Sequence, residues 1–445
     1  MTFGEDVLLE RLAELEAVAA EASRYVVAMS GGLDSTVLLH ALAKARSRHR
    51  KTLVAVHVDH QLQSASADWC DACREFAAEL GVDFIAETVS VDLNSGAGLE
   101  AAAREARYCA LSGHVETGDW LLSAHHRNDQ AETLLLNQMR GSGPAGLAGI
   151  TAIRPFSRGW LARPLLGVSR AELLDYADRS GLQWIDDPSN IDLEFDRNFL
   201  RHDVLPRLET RWPDSVARLA RSAALAGEAA TLLSELAEID LQALGARPER
   251  LSIDGLRGLS VERQRNVLRH AVRRIGLPAP GASHLSAIVG DLLTAREDAQ
   301  PLIRWRGAEA RRYRDQLYLL PASEADAAVP DEQLVAGDRV KLRAGHGALS
   351  LAPGAPVGLS DGVVGSGLHL QYRHGGEEIQ PLGQAHTRKL KKLLQEEGIV
   401  PWMRDRLPLL YAGQRLVAVA DLWIAADAAS EPGTAVVWEQ RPPIH

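Results

Sequence analysis

"YVVAMSGGLDSTVLLHAL", residues 25–42, begins as a strand, turns at two glycines and resumes as a helix. Residues 25–29 have the length and composition of a buried strand, and residues 35–42 carry apolar side chains at helical spacing. Between them, Gly31 and Gly32 let the chain turn without a Cβ clash, so that successive amides and the helix N-terminus can surround an anion. Asp34 stands where a Walker-type phosphate loop would carry lysine, because that pattern demands Gly-Lys-Ser/Thr. Asp34 and Ser35 would also serve as ordinary caps for the helix.

Outward from this stretch, strand and helix alternate. "TLVAVHV" (52–58) reads as a second buried strand, followed by a helix through "DACREFAAEL" (71–80) and a strand "VDFIAETV" (82–89). A helix "LEAAAREARYCAL" (99–111), a strand "WLLSAH" (120–125) and a helix "DQAETLLLNQM" (129–139) come next. Repeated strand, crossover, strand predicts an α/β fold with a mostly parallel sheet covered on both faces. Ligands of such sheets bind beyond the carboxyl ends of the strands. The chemistry-bearing residues cluster at those ends: 30–35, 57–60 with His57, Asp59 and His60, and 125–132 with His125, Asp129 and Glu132. Asp129 and Glu132 have the spacing of a capping box, yet two histidines, an asparagine and two carboxylates at one junction exceed what a cap requires.

With 445 residues the chain is too long for one ordinary core and predicts two to three domains. Its apolar runs fall short of a bilayer span and it opens on an acidic amphipathic stretch, which reads as a soluble protein without signal peptide or membrane anchor. Three cysteines, Cys70, Cys73 and Cys109, cannot make a disulfide framework, and a reducing cytoplasm fits them. A formal charge of −10 argues against indiscriminate coating of nucleic acid, although a net value hides local patches.

"SGGLDS" resembles the pyrophosphate loop of the N-type ATP pyrophosphatases. The resemblance implies ATP cleaved between its α and β phosphates: a substrate oxygen is adenylylated, pyrophosphate leaves, and a nucleophile displaces AMP. It also implies that Ser30, Gly31, Gly32, Leu33, Asp34 and Ser35 bind the nucleotide, with His57, Asp59 and His125 beside it, and that Asp34 and Asp129 hold Mg²⁺.

"GLEAAAREARY" (98–108), "HHRNDQAETLLLNQMRGSG" (125–143) and "DDPSNIDLEFDRNFLRHDVLP" (186–206) together resemble the tRNA(Ile)-lysidine synthetases, pyrophosphate-loop enzymes that modify the wobble cytidine of an isoleucine tRNA with a CAU anticodon. In that family an arginine of the "AREARY" helix serves catalysis. Arg104 and Arg107 both qualify, and Arg107, beside Tyr108, is preferred. The product carries lysine joined through its side-chain nitrogen to carbon 2 of cytosine, so the carbon-2 oxygen must leave, and it leaves poorly unless first made an AMP ester. Positioned cations would stabilise the transferring phosphoryl group. The lysine ammonium, with a reference pKa of about 10.4, must lose a proton before it attacks. Asp129 is the candidate to hold it and accept that proton, with Glu132 nearby.

Beyond residue 215 the composition shifts. "SVARLARSAALAGEAATLLSELAEIDLQAL" (215–244) has helical spacing, and "VERQRNVLRHAVRRIG" (261–276) places Arg269 and Arg273 with three further arginines in one helix. A second basic stretch, "IRWRGAEARRYRDQLYLL" (303–320), interleaves Trp305 and Tyr313, and a third, "RNFLRHDVLPRLETRW" (197–212), carries Arg197 and Arg201. In an acidic protein these read as RNA contacts, against the alternative of solvated faces. A linker "PASEADAAVPDEQ" (321–333) precedes short Gly-punctuated strands, and residues 388–425 resemble the C-terminal domain of the same family, with Lys389, Lys391, Lys392 and Arg404 as phosphate contacts beside Trp402. The expected organisation is a catalytic domain at 1–215, a mainly helical tRNA-binding domain at 216–322, and a small α+β tRNA-binding domain at 323–445. A homodimer is left open. Two rival readings stand: a tRNA 2-thiolation enzyme, whose iron–sulfur cluster the three cysteines match in number, and a non-catalytic RNA-binding protein on the same scaffold.

Overall fold

Beyond its first residue, strand β1 (Arg24–Ala28) is apolar because it lies inside a sheet covered on both faces. The structure, a computed structural model, describes residues 2–61, 66–90, 99–296, 299–322, 332–334, 339–342, 346–442 and 444. They form two compact units, residues 1–235 and 236–445. In the first, β1 pairs in parallel with β2 (Thr52–Asp59) on one side and β4 (Trp120–Leu122) on the other, and β2 carries β3 (Asp83–Thr88). With β5 (Ile153–Phe156) and β6 (Gly159–Ala162), the sheet order is β3-β2-β1-β4-β6-β5.

Alternation along the strands divides the core. Tyr25 and Val27 of β1 and Trp120 and Leu122 of β4 face a cluster built with the helices α1 (Glu5–Glu16) and α2 (Leu33–Lys44). Val26 and Leu121 face the opposite cluster, with Leu111 and Val115 at the end of α5 (Leu99–Gly113). Helices α3 (Arg46–His49) and α4 (Ser66–Glu79) lie between β2 and its neighbours in sequence. The chain leaves β1 for β2 and β3 on one side, then crosses to β4 on the other. The crevice beyond β1 and β4 is thus a topological switch point, the place where open α/β sheets bind ligands.

Two elements depart from the sequence reading. The sheet does not end at residues 120–125: β5 (Ile153–Phe156) and β6 (Gly159–Ala162) form an antiparallel hairpin whose second strand pairs in parallel with β4. Four-residue strands with Leu161 and Ala162 fully buried show no alternation to detect. Helix α6 (Arg127–Met139) starts two residues before Asp129, with His126 as N-cap. Asp129 is therefore the third helical residue of the capping box, and Glu132 lies a turn further in.

After α6 come a single turn α7 (Pro144–Leu147) and α8 (Arg170–Arg179), which packs on α2. The stretch 196–211 is continuously helical, with α9 (Asp196–Phe199) and α10 (Leu205–Arg211) joined by a π turn at Leu200–Val204. Then α11 (Ser215–Ala243) runs for 29 residues.

In the second unit, α12 (Ile253–Arg257) and α13 (Val261–Arg274) pack with a four-stranded antiparallel sheet, β7 (Arg250–Ser252), β10 (Gln316–Pro321), β9 (Ala308–Tyr313) and β8 (Leu302–Trp305) in that order. Residues 303–320, read as a basic RNA-facing stretch, supply three of those strands. Arg312 is buried and donates to the carbonyls of Leu293 and Ala295, while Arg304 and Arg311 both pair with the buried Glu309. The C-terminal part holds two five-stranded antiparallel sheets and short helices around one core. Most of the expected linker, 323–331, lies outside the described residues. No helix among the described residues is long and apolar enough to cross a membrane.

Candidate active site

Gly31 has φ +84, a left-handed conformation that L side chains rarely adopt, and a Cβ there would meet Ile185 Cδ1 at 2.6 Å and Cys73 Sγ at 2.9 Å. Gly32, the N-cap of α2, has φ −73, and a Cβ there would touch only Ser30 Oγ at 3.7 Å and Ile185 O at 3.9 Å. Only the first glycine is needed for the turn itself; the second leaves space above the backbone. Ser35 is buried and spends its hydroxyl on the loop: it accepts from the Ser30 amide at 3.2 Å and donates to the Gly32 carbonyl at 3.0 Å. No side chain caps the N-terminus of α2, so its first amides and the positive end of its dipole remain available.

Two adjoining clefts open at this loop. One, of about 410 Å³, is bounded by Ser30, Gly32, His57, Asp59, His60 and Arg107. His57 is buried and its Nδ1 donates to the Met29 carbonyl at 3.0 Å, tying the end of β2 to the loop; burial keeps its pKa below the ordinary value. Asp59 accepts from the Gln61 amide at 2.7 Å. The second cleft, of about 510 Å³, brings together Asp34, Arg104, Arg107, His125, Asp129 and Arg197. Arg107 reaches both clefts and Arg104 only the second of them; the two guanidiniums flank Tyr108, 5.7 and 5.1 Å from its ring centre.

The far wall is an ion network. His126 is fully buried, with Asp34 Oδ2 3.4 Å from Nε2 and Asp129 Oδ2 3.5 Å from Nδ1. Burial pushes this imidazole toward neutrality, but the two carboxylates outweigh it and hold its pKa above the ordinary value. Asp129 Oδ2 accepts the His126 amide at 2.8 Å, and Oδ1 accepts Arg197 at 3.1 Å and Arg201 at 2.9 Å. Burial would raise this carboxyl, yet His126 and the arginines hold it down to about 2. Glu132, with no exposed surface, takes Arg197 Nε at 2.8 Å and Arg201 Nε at 2.7 Å. His125 behaves oppositely to its neighbour: burial drives its pKa down to about 3, and its Nδ1 sits 2.6 Å from Ser123 Oγ.

This arrangement redirects three sequence expectations. Arg197 and Arg201, read as RNA contacts, have their guanidiniums committed to Asp129 and Glu132. Asp129, read as a metal ligand and proton acceptor, has both oxygens occupied by donors. Mg²⁺ fits Asp34 instead: its Oδ1 is buried without a hydrogen-bond partner, an orphaned acceptor at the cleft. Among the described residues no group of three or more His, Cys, Asp or Glu side chains is placed to hold a metal by itself.

The more distant candidates divide the same way. Arg269 and Arg273 are exposed on α13, as are Lys389, Lys391 and Lys392 near the C-terminus. Arg404 turns inward, donating to the Ile399 carbonyl at 2.9 Å and the Tyr313 hydroxyl at 3.0 Å. Trp402 packs edge-on to Tyr318 with ring centres 5.0 Å apart.

Comparison with known proteins adds the family. Residues 6–208 match a model described as a PP-loop domain, residues 251–318 a TilS substrate binding domain, and residues 368–439 a TilS substrate C-terminal domain. A protein of Alkalilimnicola ehrlichii named tRNA(Ile)-lysidine synthase is 44% identical over 98% of this chain and 97% of its own length. The chain belongs to the tRNA(Ile)-lysidine synthase family. Synthases of this name from Pseudomonas aeruginosa (41% identical, covering 97% of each chain) and Coxiella burnetii (39%, covering 92% of this chain and 91% of that one) are similarly close. The whole-chain match favours a lysidine synthase over a thiolation enzyme. Of the cysteines, Cys73 is buried behind Gly31 with its thiol pushed up to about 12, whereas Cys109 is exposed.

Sequence reasoning passed over four residues of the synthase site. His125 and His126 read alike in sequence, although only His126 bridges two carboxylates. Ile185 backs the loop, and its amide donates to the Gly31 carbonyl at 2.9 Å. Asp187 and Ser189 border both clefts from a segment that Asn198 and His202 hold folded. No periodicity marks such residues; for Asp187 and Ser189 the motif at 186–206 is the available signal.

Proposed function

We propose that this enzyme uses ATP to join lysine, through its side-chain nitrogen, to carbon 2 of the wobble cytidine of an isoleucine tRNA with a CAU anticodon, changing codon recognition from AUG to AUA. The observation that supports it most directly is the uncapped N-terminus of α2 facing, across one cleft, the arginine of α5 and the ion network of α6. Amides of Gly32, Leu33 and Asp34 bind the pyrophosphate that leaves, and the strand end at His57 to His60 takes the adenosine. Arg107, with Arg104 beside it, sits over the α-phosphate, where negative charge grows as the carbon-2 oxygen attacks. Mg²⁺ bound at Asp34 would supply charge neutralisation on the phosphates. In the second step the lysine amine attacks carbon 2 and AMP departs with the former carbonyl oxygen.

We assign Asp129 to holding His126, Arg197 and Arg201 in place, because its carboxylate, held at about 2, is a poor proton acceptor, and Glu132 to holding the same two arginines through its hydrogen bonds to them. Residues 1–215, 216–322 and 323–445 are proposed as the catalytic, middle and C-terminal RNA-contacting parts, with Arg269, Arg273, Lys389, Lys391 and Lys392 as phosphate contacts. The setting is taken to be the cytoplasm. Asp34→Ala should abolish ATP-dependent pyrophosphate release while leaving tRNA affinity and the fold intact, since it removes an orphaned ligand oxygen and little packing. Near-normal turnover of that variant would reject the assignment.

A further inference from the structure

Beside the reaction cleft lies a larger cavity of about 720 Å³ that shares Arg104, His125 and Arg197 with it but none of the loop residues 30–35. Four guanidiniums not engaged by Asp129 or Glu132 border it, those of Arg104, Arg140, Arg154 and Arg163, against two carboxylates, Glu194 and Asp196. Arg163 is 4% exposed; its Nη1 donates to the Thr151 carbonyl at 2.5 Å and its Nε has no hydrogen-bond partner. The wall is fixed in advance. Gln130 accepts the Ile150 amide at 2.6 Å and donates to the Ala148 carbonyl at 3.2 Å, and Asn137 donates to the Gly146 carbonyl at 2.8 Å. Phe195 borders the cavity and is 39% exposed, in a molecule where large apolar side chains are mostly covered.

We propose that this cavity seats the RNA strand flanking the reacting cytidine, with Phe195 stacking on a neighbouring unpaired base and Arg140 and Arg154 holding the phosphodiester. The proposal rests on the function inferred above. An excess of positive charge attracts a polyanion and opposes the cationic amino acid, which is the other substrate of suitable size. An exposed aromatic side chain beside arginines is the usual platform for a splayed base of single-stranded RNA. The shared side chains make the occupant an immediate neighbour of the reacting base, as a base extruded from an anticodon loop requires.

The test uses the full-length enzyme with isoleucine tRNA and with its isolated anticodon stem-loop. Phe195→Ala should weaken stem-loop binding and raise the tRNA KM by about tenfold, and Phe195→Trp should restore both. Arg140→Ala with Arg154→Ala should weaken RNA binding and flatten its dependence on log salt by about 1.4, roughly 0.7 for each lost single-strand phosphate contact. The KM values for ATP and lysine should stay unchanged. A raised lysine KM with unaltered RNA binding would overturn the proposal and make the cavity the amino-acid site; unaltered constants throughout would overturn it as well. Stem-loop binding that falls as described in a protein making no lysidine would uphold the subsite and reject the function.

Discussion

Ile185 donates its amide to the Gly31 carbonyl at 2.9 Å, while its side chain fills the space that a Cβ on Gly31 would need. The loop is thereby clamped from behind, and its two glycines answer to different demands. Gly31→Ala should destabilise the whole first unit, by at least the roughly 1–2 kcal/mol of a left-handed non-glycine residue, because both φ and packing oppose it. Gly32→Ala should leave the melting temperature nearly unchanged and weaken ATP binding at least tenfold, because its Cβ would occupy the space of the phosphate. Thermal melts and ATP titration of both variants check this; equal melting losses would mean that Gly32 is structural too.

His125 provides the pH dependence. Its folded pKa, about 3, lies below the unfolded value of 6.5, so the unfolded chain binds the extra proton between those limits. Stability from this group is complete above pH 6.5 and is lost as pH falls toward 3, with a slope of up to about 1.4 kcal/mol per pH unit. Urea midpoints of the wild type should therefore drop more steeply between pH 6.5 and 5 than those of His125→Asn. Parallel curves would mean that His125 takes up its proton equally in the folded and unfolded chains, against the lowered pKa.

The C-terminal basic face separates into two kinds of residue. Lys391→Ala with Lys392→Ala should raise the tRNA KM and flatten its salt dependence while leaving stability unchanged, because both ammonium groups are exposed. Arg404→Ala should instead lower the melting temperature, since it removes hydrogen bonds to Ile399 and Tyr313. Salt-series kinetics beside thermal melts distinguish the two; a loss of stability in the lysine pair would return that face to a packing role.

The parallel sheet and its ligand-bearing edge were legible because buried strands and crossover helices write their periods directly into residues 25–139. The β5–β6 hairpin was not, since four-residue strands are too short to show a period. At the site, residue types identified the loop and the 125–132 cluster, but not which charges meet. Arg197 and Arg201 lie 65 or more residues from Glu132 in sequence, and only the fold turns them inward. The basic stretch at 303–320 misled for the same reason: Arg312 looks solvated in sequence and is buried because helical carbonyls need a donor.

The central claim is tested most directly by incubating the enzyme with ATP, labelled lysine and an isoleucine tRNA transcript carrying a CAU anticodon, then digesting the RNA to nucleosides. Label should appear in a single nucleoside with the mass of cytidine plus lysine less water, with equal amounts of AMP and pyrophosphate formed. A transcript with uridine at the wobble position should take up none. Pyrophosphate released without lysine entering the RNA, or sulfur entering in its place, would contradict the account.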